Sequence, residues 1–247
     1  MKIAILYLLS LALLTIPSRA QEVTDSLPAD SMAGAAPSLP VDSFELSVDD
    51  YNKYTPFVGG EEFRMRNGLK INGMVKDYYP DSTLKHKGYY QNGQLVSTFK
   101  NYYPNGKLER SFSASGNFKL IIQRYYFNGT PREYLEYHKG ELVKYIDYYP
   151  NGKIATLEEH DKKKGFYITF KNYYEDGTLQ DELVLKDKKT LSYYKREYYP
   201  NGTIKEEGPV QFNKAQYDYQ KHGTWKIYDK SGKLIEQAEY YKGALIL

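Results

Sequence analysis

The chain has 247 residues, enough for one or two domains, and a formal net charge of only +3. It contains no cysteine, which excludes disulfides, thiol catalysis, thiolate metal sites and a lipidated N-terminal cysteine. Twenty-eight tyrosines against one tryptophan, Trp225, favour strands, because a tyrosine ring covers a half-buried pleated surface while its hydroxyl reaches water.

Residues 1–20 have the pattern of a secretory signal. Lys2 gives a basic start, Ile3 to Ile16 is apolar, and Pro17-Ser18-Arg19-Ala20 ends in small residues, with cleavage expected after Ala20. The apolar run is too short for a spanning helix, which needs about 20 residues, so no transmembrane helix is expected after cleavage. Residues 21–60 are rich in Pro, Ala, Ser and Asp, and 21–62 carry nine acids against the single base Lys53. Such a stretch buries too little apolar surface to offset its chain entropy, and reads as an acidic disordered tether before a basic body. Phe44, Leu46 and Val48 alternate with polar residues inside it, the pattern of one edge strand.

From residue 61 onward, turn signals recur. Tyr102-Tyr103-Pro104-Asn105-Gly106, Tyr148-Tyr149-Pro150-Asn151-Gly152 and Tyr198-Tyr199-Pro200-Asn201-Gly202 are copies of one unit, and Tyr78-Tyr79-Pro80-Asp81-Ser82 is a fourth. Looser copies lie at Tyr125-Tyr126-Phe127-Asn128-Gly129 and Tyr173-Tyr174-Glu175-Asp176-Gly177, and a last turn falls at 229–232. A second set sits between them, including Asn67-Gly68, Asn92-Gly93, Lys139-Gly140 and Lys242-Gly243. A period of about 24 residues with two turns leaves about eight residues per strand and roughly 14 strands. No 3.6-residue periodicity appears, and Gly or Pro interrupts every helical window. The fold class is therefore all-β: an elongated antiparallel meander of β-hairpin repeats over 61–247, as a single-layer or curled sheet. Gly93, Gly106, Gly129, Gly152, Gly177, Gly202 and Gly232 are its structural turn residues. In each Tyr-Pro-Asn-Gly corner, glycine takes the left-handed position of a type I turn with a G1 bulge. That geometry sets Tyr102 opposite Leu108, Tyr148 opposite Ile154, Tyr173 opposite Leu179 and Tyr198 opposite Ile204.

These Tyr-Tyr-x-Asn-Gly-x-Leu units, with the run Lys221-His222-Gly223-Thr224-Trp225-Lys226-Ile227-Tyr228-Asp229-Lys230-Ser231-Gly232-Lys233-Leu234 near the C-terminus, resemble the variant MORN repeats of the YwqK-type antitoxin family. The resemblance covers about 61–247 and implies a hairpin-repeat fold. It also implies a protein partner, the antitoxin name pointing to a cytoplasmic toxin, which the secretory signal contradicts.

The residues offer no catalytic constellation. His86, His138, His160 and His222 fall in different repeats with no metal-ligand spacing. Glu158, Glu159, Glu206 and Glu207 are candidates for cross-strand carboxylate pairs, but nothing marks a cleft around them. No phosphate-binding glycine loop and no G-x-S-x-G occurs. Asn128-Gly129-Thr130 and Asn201-Gly202-Thr203 match the glycosylation pattern as a by-product of turn chemistry.

The tyrosine–lysine interleaving admits a carbohydrate or anionic-polymer surface. One local irregularity stands out. Between Gly202 and Gly232 there are about six residues beyond the repeat, and the excess falls in 208–220. Extra length in a repeat protein forms a surface loop, which places Phe212, Tyr217, Tyr219 and Trp225 around a partner contact. The expectation is an exported, bacterial, non-enzymatic scaffold without cofactor or metal, in the periplasm, on the outer membrane or secreted. Its partner is a protein, with an envelope polysaccharide as the alternative ligand and no nucleic acid.

Overall fold

The computed structural model describes residues 49–115 and 118–246. The expected signal at 1–20 and most of the tether, including Phe44, Leu46 and Val48, lie outside the described residues. Residues 49–60, which composition assigns to the tether, form two 3-10 turns, Asp49–Tyr54 and Pro56–Val58. Tyr51 and Thr55 within them are buried against the repeat body. Composition missed this because one well-placed aromatic ring anchors a polar segment.

Eighteen strands follow. β1 (Met65–Arg66) and β2 (Leu69–Lys70) make a small hairpin. The main sheet begins with β3 (Gly73–Tyr78), β4 (Leu84–Gln91), β5 (Gln94–Tyr102), β6 (Leu108–Ser115), β7 (Lys119–Tyr125) and β8 (Pro131–His138). It continues with β9 (Glu141–Tyr148), β10 (Ile154–His160), β11 (Tyr167–Tyr173), β12 (Leu179–Asp187), β13 (Ser192–Tyr198) and β14 (Ile204–Asn213). It ends with β15 (Asp218–Lys221), β16 (Gly223–Tyr228), β17 (Leu234–Tyr241) and β18 (Ala244–Ile246). Sixteen strands form one open antiparallel sheet in which chain neighbours pair, except that β14 is shared between β15 and β16. The strand count exceeds the expected 14 in part because the extra residues near 208–220 add β15, strand where a loop was expected, and in part because β1 and β2 form a separate hairpin ahead of β3.

The corners follow the chemistry of their residues. Gly106 N donates to Tyr103 O at 2.8 Å, and Tyr103 N donates to Lys107 O at 2.9 Å. All seven expected turn glycines lie at positive φ, from +78° to +89°. The expected pairs are present: Tyr102 opposite Leu108, Tyr148 opposite Ile154, Tyr173 opposite Leu179 and Tyr198 opposite Ile204. Tyr78–Leu84, Tyr125–Pro131 and Tyr228–Leu234 complete the series. At the other edge Asn92-Gly93, Lys139-Gly140 and Lys242-Gly243 place both central residues at positive φ, as a two-residue type I′ hairpin requires.

Directly paired residues share a sheet face, and faces alternate along each strand. On the first face a row runs Gly88, Phe99, Phe112, Ile122, Leu135, Tyr145. The core is divided. Near one end Tyr51, Val75, Tyr90, Leu95, Phe99 and Phe112 pack together. Near the other, Leu183, Leu191, Tyr193, Val210 and Trp225 do.

Candidate functional site

The second tyrosine of each doublet has a role that spacing alone does not reveal. Its hydroxyl donates to the backbone carbonyl of the first tyrosine in the next repeat. Tyr79 reaches Tyr102 O, Tyr103 reaches Tyr125 O, Tyr126 reaches Tyr148 O, Tyr149 reaches Tyr173 O, Tyr174 reaches Tyr198 O and Tyr199 reaches Tyr228 O, at 2.7 to 3.0 Å. The turn asparagines reinforce this edge: Asn105, Asn151 and Asn201 donate to the carbonyls of Phe127, Glu175 and Lys230. The side-chain oxygens of Asn128 and Asn201 accept from Thr130 and Thr203, so the two glycosylation-like triplets are turn caps. Asp229 occupies the place of a further second tyrosine, and its carboxylate caps its own turn through Ser231 and Lys233.

The six extra residues leave that ladder intact. β14 pairs with β16 at Glu206–Ile227 and Glu207–Lys226, then with β15 from Val210–Lys221 to Asn213–Asp218. The break between them is filled by Trp225. Its indole N–H donates to Pro209 O at 2.8 Å, and that carbonyl also accepts from His222 N. A Cβ on Gly208 would sit 2.5 Å from the indole ring, so only glycine lets the tryptophan lie down there. Pro209 is tolerated inside the sheet because the ladder changes partner at that point.

The four residues expected around a partner contact therefore separate. Trp225 is 2% exposed and belongs to the core. Phe212 and Tyr219 are half-buried, their ring centroids 4.9 Å apart, and Tyr219 meets Tyr193 edge-on. Burial pushes the Tyr219 hydroxyl's pKa far up. Tyr217 alone projects, 75% exposed, at the tip of the β14–β15 hairpin. It sits at φ 54°, in a turn tied by Asn213, which accepts from Ala215 N and donates to Gln216 Oε1. The segment is thus an extended hairpin and not an open loop, because Val210, Phe212 and Tyr219 face the core.

At the opposite end, the 3-10 segment closes a polar network that no local sequence pattern marks. Tyr51 stacks on the His86 ring at 3.9 Å. Arg64 forms a two-pronged bond with Asp77 at 2.6 and 2.7 Å, and Tyr51 also donates to Asp77. Arg110 donates to Asn101 and to Asn52, and Asn101 lies 3.1 Å from His86 Nδ1. With the Asn101 oxygen occupied by Arg110, its amide donates to His86, which places the imidazole proton on Nε2 beside Tyr90. Burial, with Arg64 and Arg110 nearby, holds the His86 pKa down at about 3. Beside this network lies a groove of about 710 Å³ lined by Phe57, Val58, Phe118, Leu120, Ile122 and Tyr137. It was illegible in the sequence because one wall comes from the segment read as tether.

The other candidates are engaged. Glu158 accepts from or pairs with His160 at 3.0 Å, Glu159 with Lys144, Glu206 with Lys221, and Glu207 with Arg196 and Tyr228. His222 lies against the Tyr241 ring. Among the described residues no group of three His, Asp or Glu is placed to hold a metal ion.

These features define a hairpin-repeat scaffold of one open sheet. The MORN repeat variant family matches four segments, residues 71–92, 95–114, 192–211 and 221–242. Each match is one hairpin centred on a Tyr-Tyr corner or its 229–232 equivalent. The hairpins at 127–129, 150–152 and 175–177 are outside the matches, yet share the cross-corner pairing and the hydroxyl ladder. No curated protein matches the chain. Solved structures are only distantly similar. A point mutant of S. aureus TarM in complex with fondaparinux, α-GlcNAc-glycerol and UDP aligns at 10% identity and TM-score 0.27, over 46% of this chain and 20% of that one. TarM itself aligns at 10% identity and TM-score 0.27, over 45% and 19%. A TcdB2-TccC3-Cdc42 assembly aligns at 13% identity and TM-score 0.24, over 69% of this chain and 11% of that chain. The chain thus spans about a fifth of TarM's length or less.

Proposed function

We propose that this protein is an exported, non-enzymatic repeat scaffold of the cell envelope that engages a protein partner through the tip of the β14–β15 hairpin. One observation carries the reading. The repeat adds six residues at a single place, and they build a paired hairpin that holds an exposed aromatic, Tyr217, in a left-handed backbone conformation. Bulky residues rarely adopt that conformation. Phe212, edge-on to Tyr217 at 5.9 Å, supports the ring, and buried Trp225 anchors the arm's base. The secretory pattern of residues 1–20 supports export. The resemblance to YwqK-type repeats agrees with a protein partner, antitoxin-like neutralisation being one form such a contact would take.

A photo-crosslinking residue at position 217 tests the proposal, with position 230, at an exposed corner on the opposite edge, as control. Crosslinking is done in the native envelope and followed by mass spectrometry. One protein is expected at 217 and absent at 230, and Tyr217→Ser is expected to cut its co-purification at least tenfold with an unchanged melting midpoint. Equal recovery from both positions, or full recovery with Tyr217→Ser, overturns the reading.

A further inference from the structure

The second face carries one row of side chains in unbroken register from β3 to β17. Its later members alternate in sign. Lys171 lies opposite Glu182, Glu182 opposite Arg196, Arg196 opposite Glu207, and Glu207 opposite Lys226. Ion pairs close this stretch: Lys171–Glu182 at 3.3 Å, Arg196–Glu182 at 3.1 Å and Arg196–Glu207 at 2.9 Å. The first members of the same row do not alternate. Lys76 lies opposite Lys87, and Lys87 opposite Lys100.

Like charges placed directly opposite destabilise a strand pair. All three lysines are exposed, and among the described residues none pairs with a carboxylate. Their neighbours on that face, Met74, Tyr78, Tyr89, Thr98 and Tyr102, are uncharged. Lysine on an edge strand discourages edge-to-edge association, which accounts for Lys76 on β3. It does not account for Lys87 and Lys100, which sit on the interior strands β4 and β5.

We propose that Lys76, Lys87 and Lys100 form a binding strip for a linear acidic polysaccharide carrying one carboxylate per sugar, laid across β3, β4 and β5. Adjacent strands are ~4.8 Å apart. One pyranose ring advances a chain by a similar distance, so a polyuronate of two or three sugars laid along the row spans all three ammonium groups, with its carboxylates beside them. The exposed rings of Tyr78 and Tyr89 flank the strip and offer apolar faces to the sugars. The strip is far along the sheet from Tyr217 and stands or falls independently of the partner contact.

The test uses the purified full chain with alginate as the polyuronate, and with neutral dextran and inorganic polyphosphate as comparison polymers. Lys87→Glu turns the run into the plus-minus-plus pattern that the sheet already tolerates at Lys171, Glu182 and Arg196, so its melting midpoint should not fall. Alginate binding is expected, weakening steeply with salt as counterions are released. It is expected to be at least tenfold weaker for Lys87→Glu, unchanged for Lys171→Gln, and absent with dextran. Undiminished binding by Lys87→Glu, salt-insensitive affinity, equal retention on dextran, or retention of polyphosphate without alginate each overturns the proposal.

Discussion

Replacing Tyr149 by phenylalanine removes one rung of the hydroxyl ladder and little else. The rung is a 2.7 Å bond to Tyr173 O at a half-buried corner, while the ring keeps its packing. A net hydrogen bond of this kind is worth about 1 kcal/mol. With a urea m-value of about 2 kcal/mol per M, the midpoint should fall by roughly 0.5 M. Tyr148→Phe is the matched control. It deletes a hydroxyl from the neighbouring residue that makes no hydrogen bond within the protein among the described residues, and should stay within about 0.5 kcal/mol of the parent. A repeat protein is held by its nearest-neighbour interfaces, so the six rungs act on every junction at once. Together they amount to about 6 kcal/mol at ~1 kcal/mol each, comparable with the whole stability of an ordinary domain. The sixfold Tyr→Phe variant should therefore unfold in separate stages or not fold at all. Equal urea midpoints for Tyr149→Phe and Tyr148→Phe would show that the ladder contributes nothing and that the doublets matter only for ring packing.

Gly208→Ala drives a methyl into the Trp225 indole, and overpacking should cost about 1–3 kcal/mol. Trp225 is the single tryptophan, so its emission reports the damage directly, and an unshifted spectrum with unchanged stability contradicts the close approach. His86 is held neutral in the folded state down to about pH 3, whereas the unfolded chain takes up a proton near pH 6.5. Its contribution is complete above that value and lost as pH falls, by about 2–3 kcal/mol at about pH 4.5. His86→Gln should flatten this acid limb, and an unaltered slope in urea titrations would refute it. Tyr51→Ala empties the ring stacked on His86 and should cost about 3–5 kcal/mol, by analogy with large aromatic truncations. Deleting 1–48 should leave the melting point unchanged, and deleting 1–60 should lower it, two results that together separate tether from body. N-terminal sequencing of the exported protein should begin at Gln21, and a retained Met1 would argue against the signal.

How far the sequence reached is clearest at particular residues. The corner glycines and the Tyr–Leu and Tyr–Ile pairs were legible because a type I turn with a G1 bulge fixes which two residues face each other, using only four or five adjacent positions. The family resemblance rested on those same positions. The inserted segment 208–220 was legible as an excess of length but not as a shape. Whether extra residues extend a hairpin or loop outward depends on whether the neighbouring sheet offers Val210, Phe212 and Tyr219 a face to cover, which no local pattern records.

By itself, then, the sequence determined the all-β meander, its period and its corners, because backbone preferences of Gly, Pro and Asn act over a few residues. Only the tertiary structure decided what lies beside what across strands. It set each second tyrosine under the next carbonyl, folded 49–60 over His86, laid Trp225 on Gly208, and brought Lys76, Lys87 and Lys100 into one line. Those contacts join residues about 10 to 60 positions apart, and their energies depend on register and burial, which exist only once the sheet has formed.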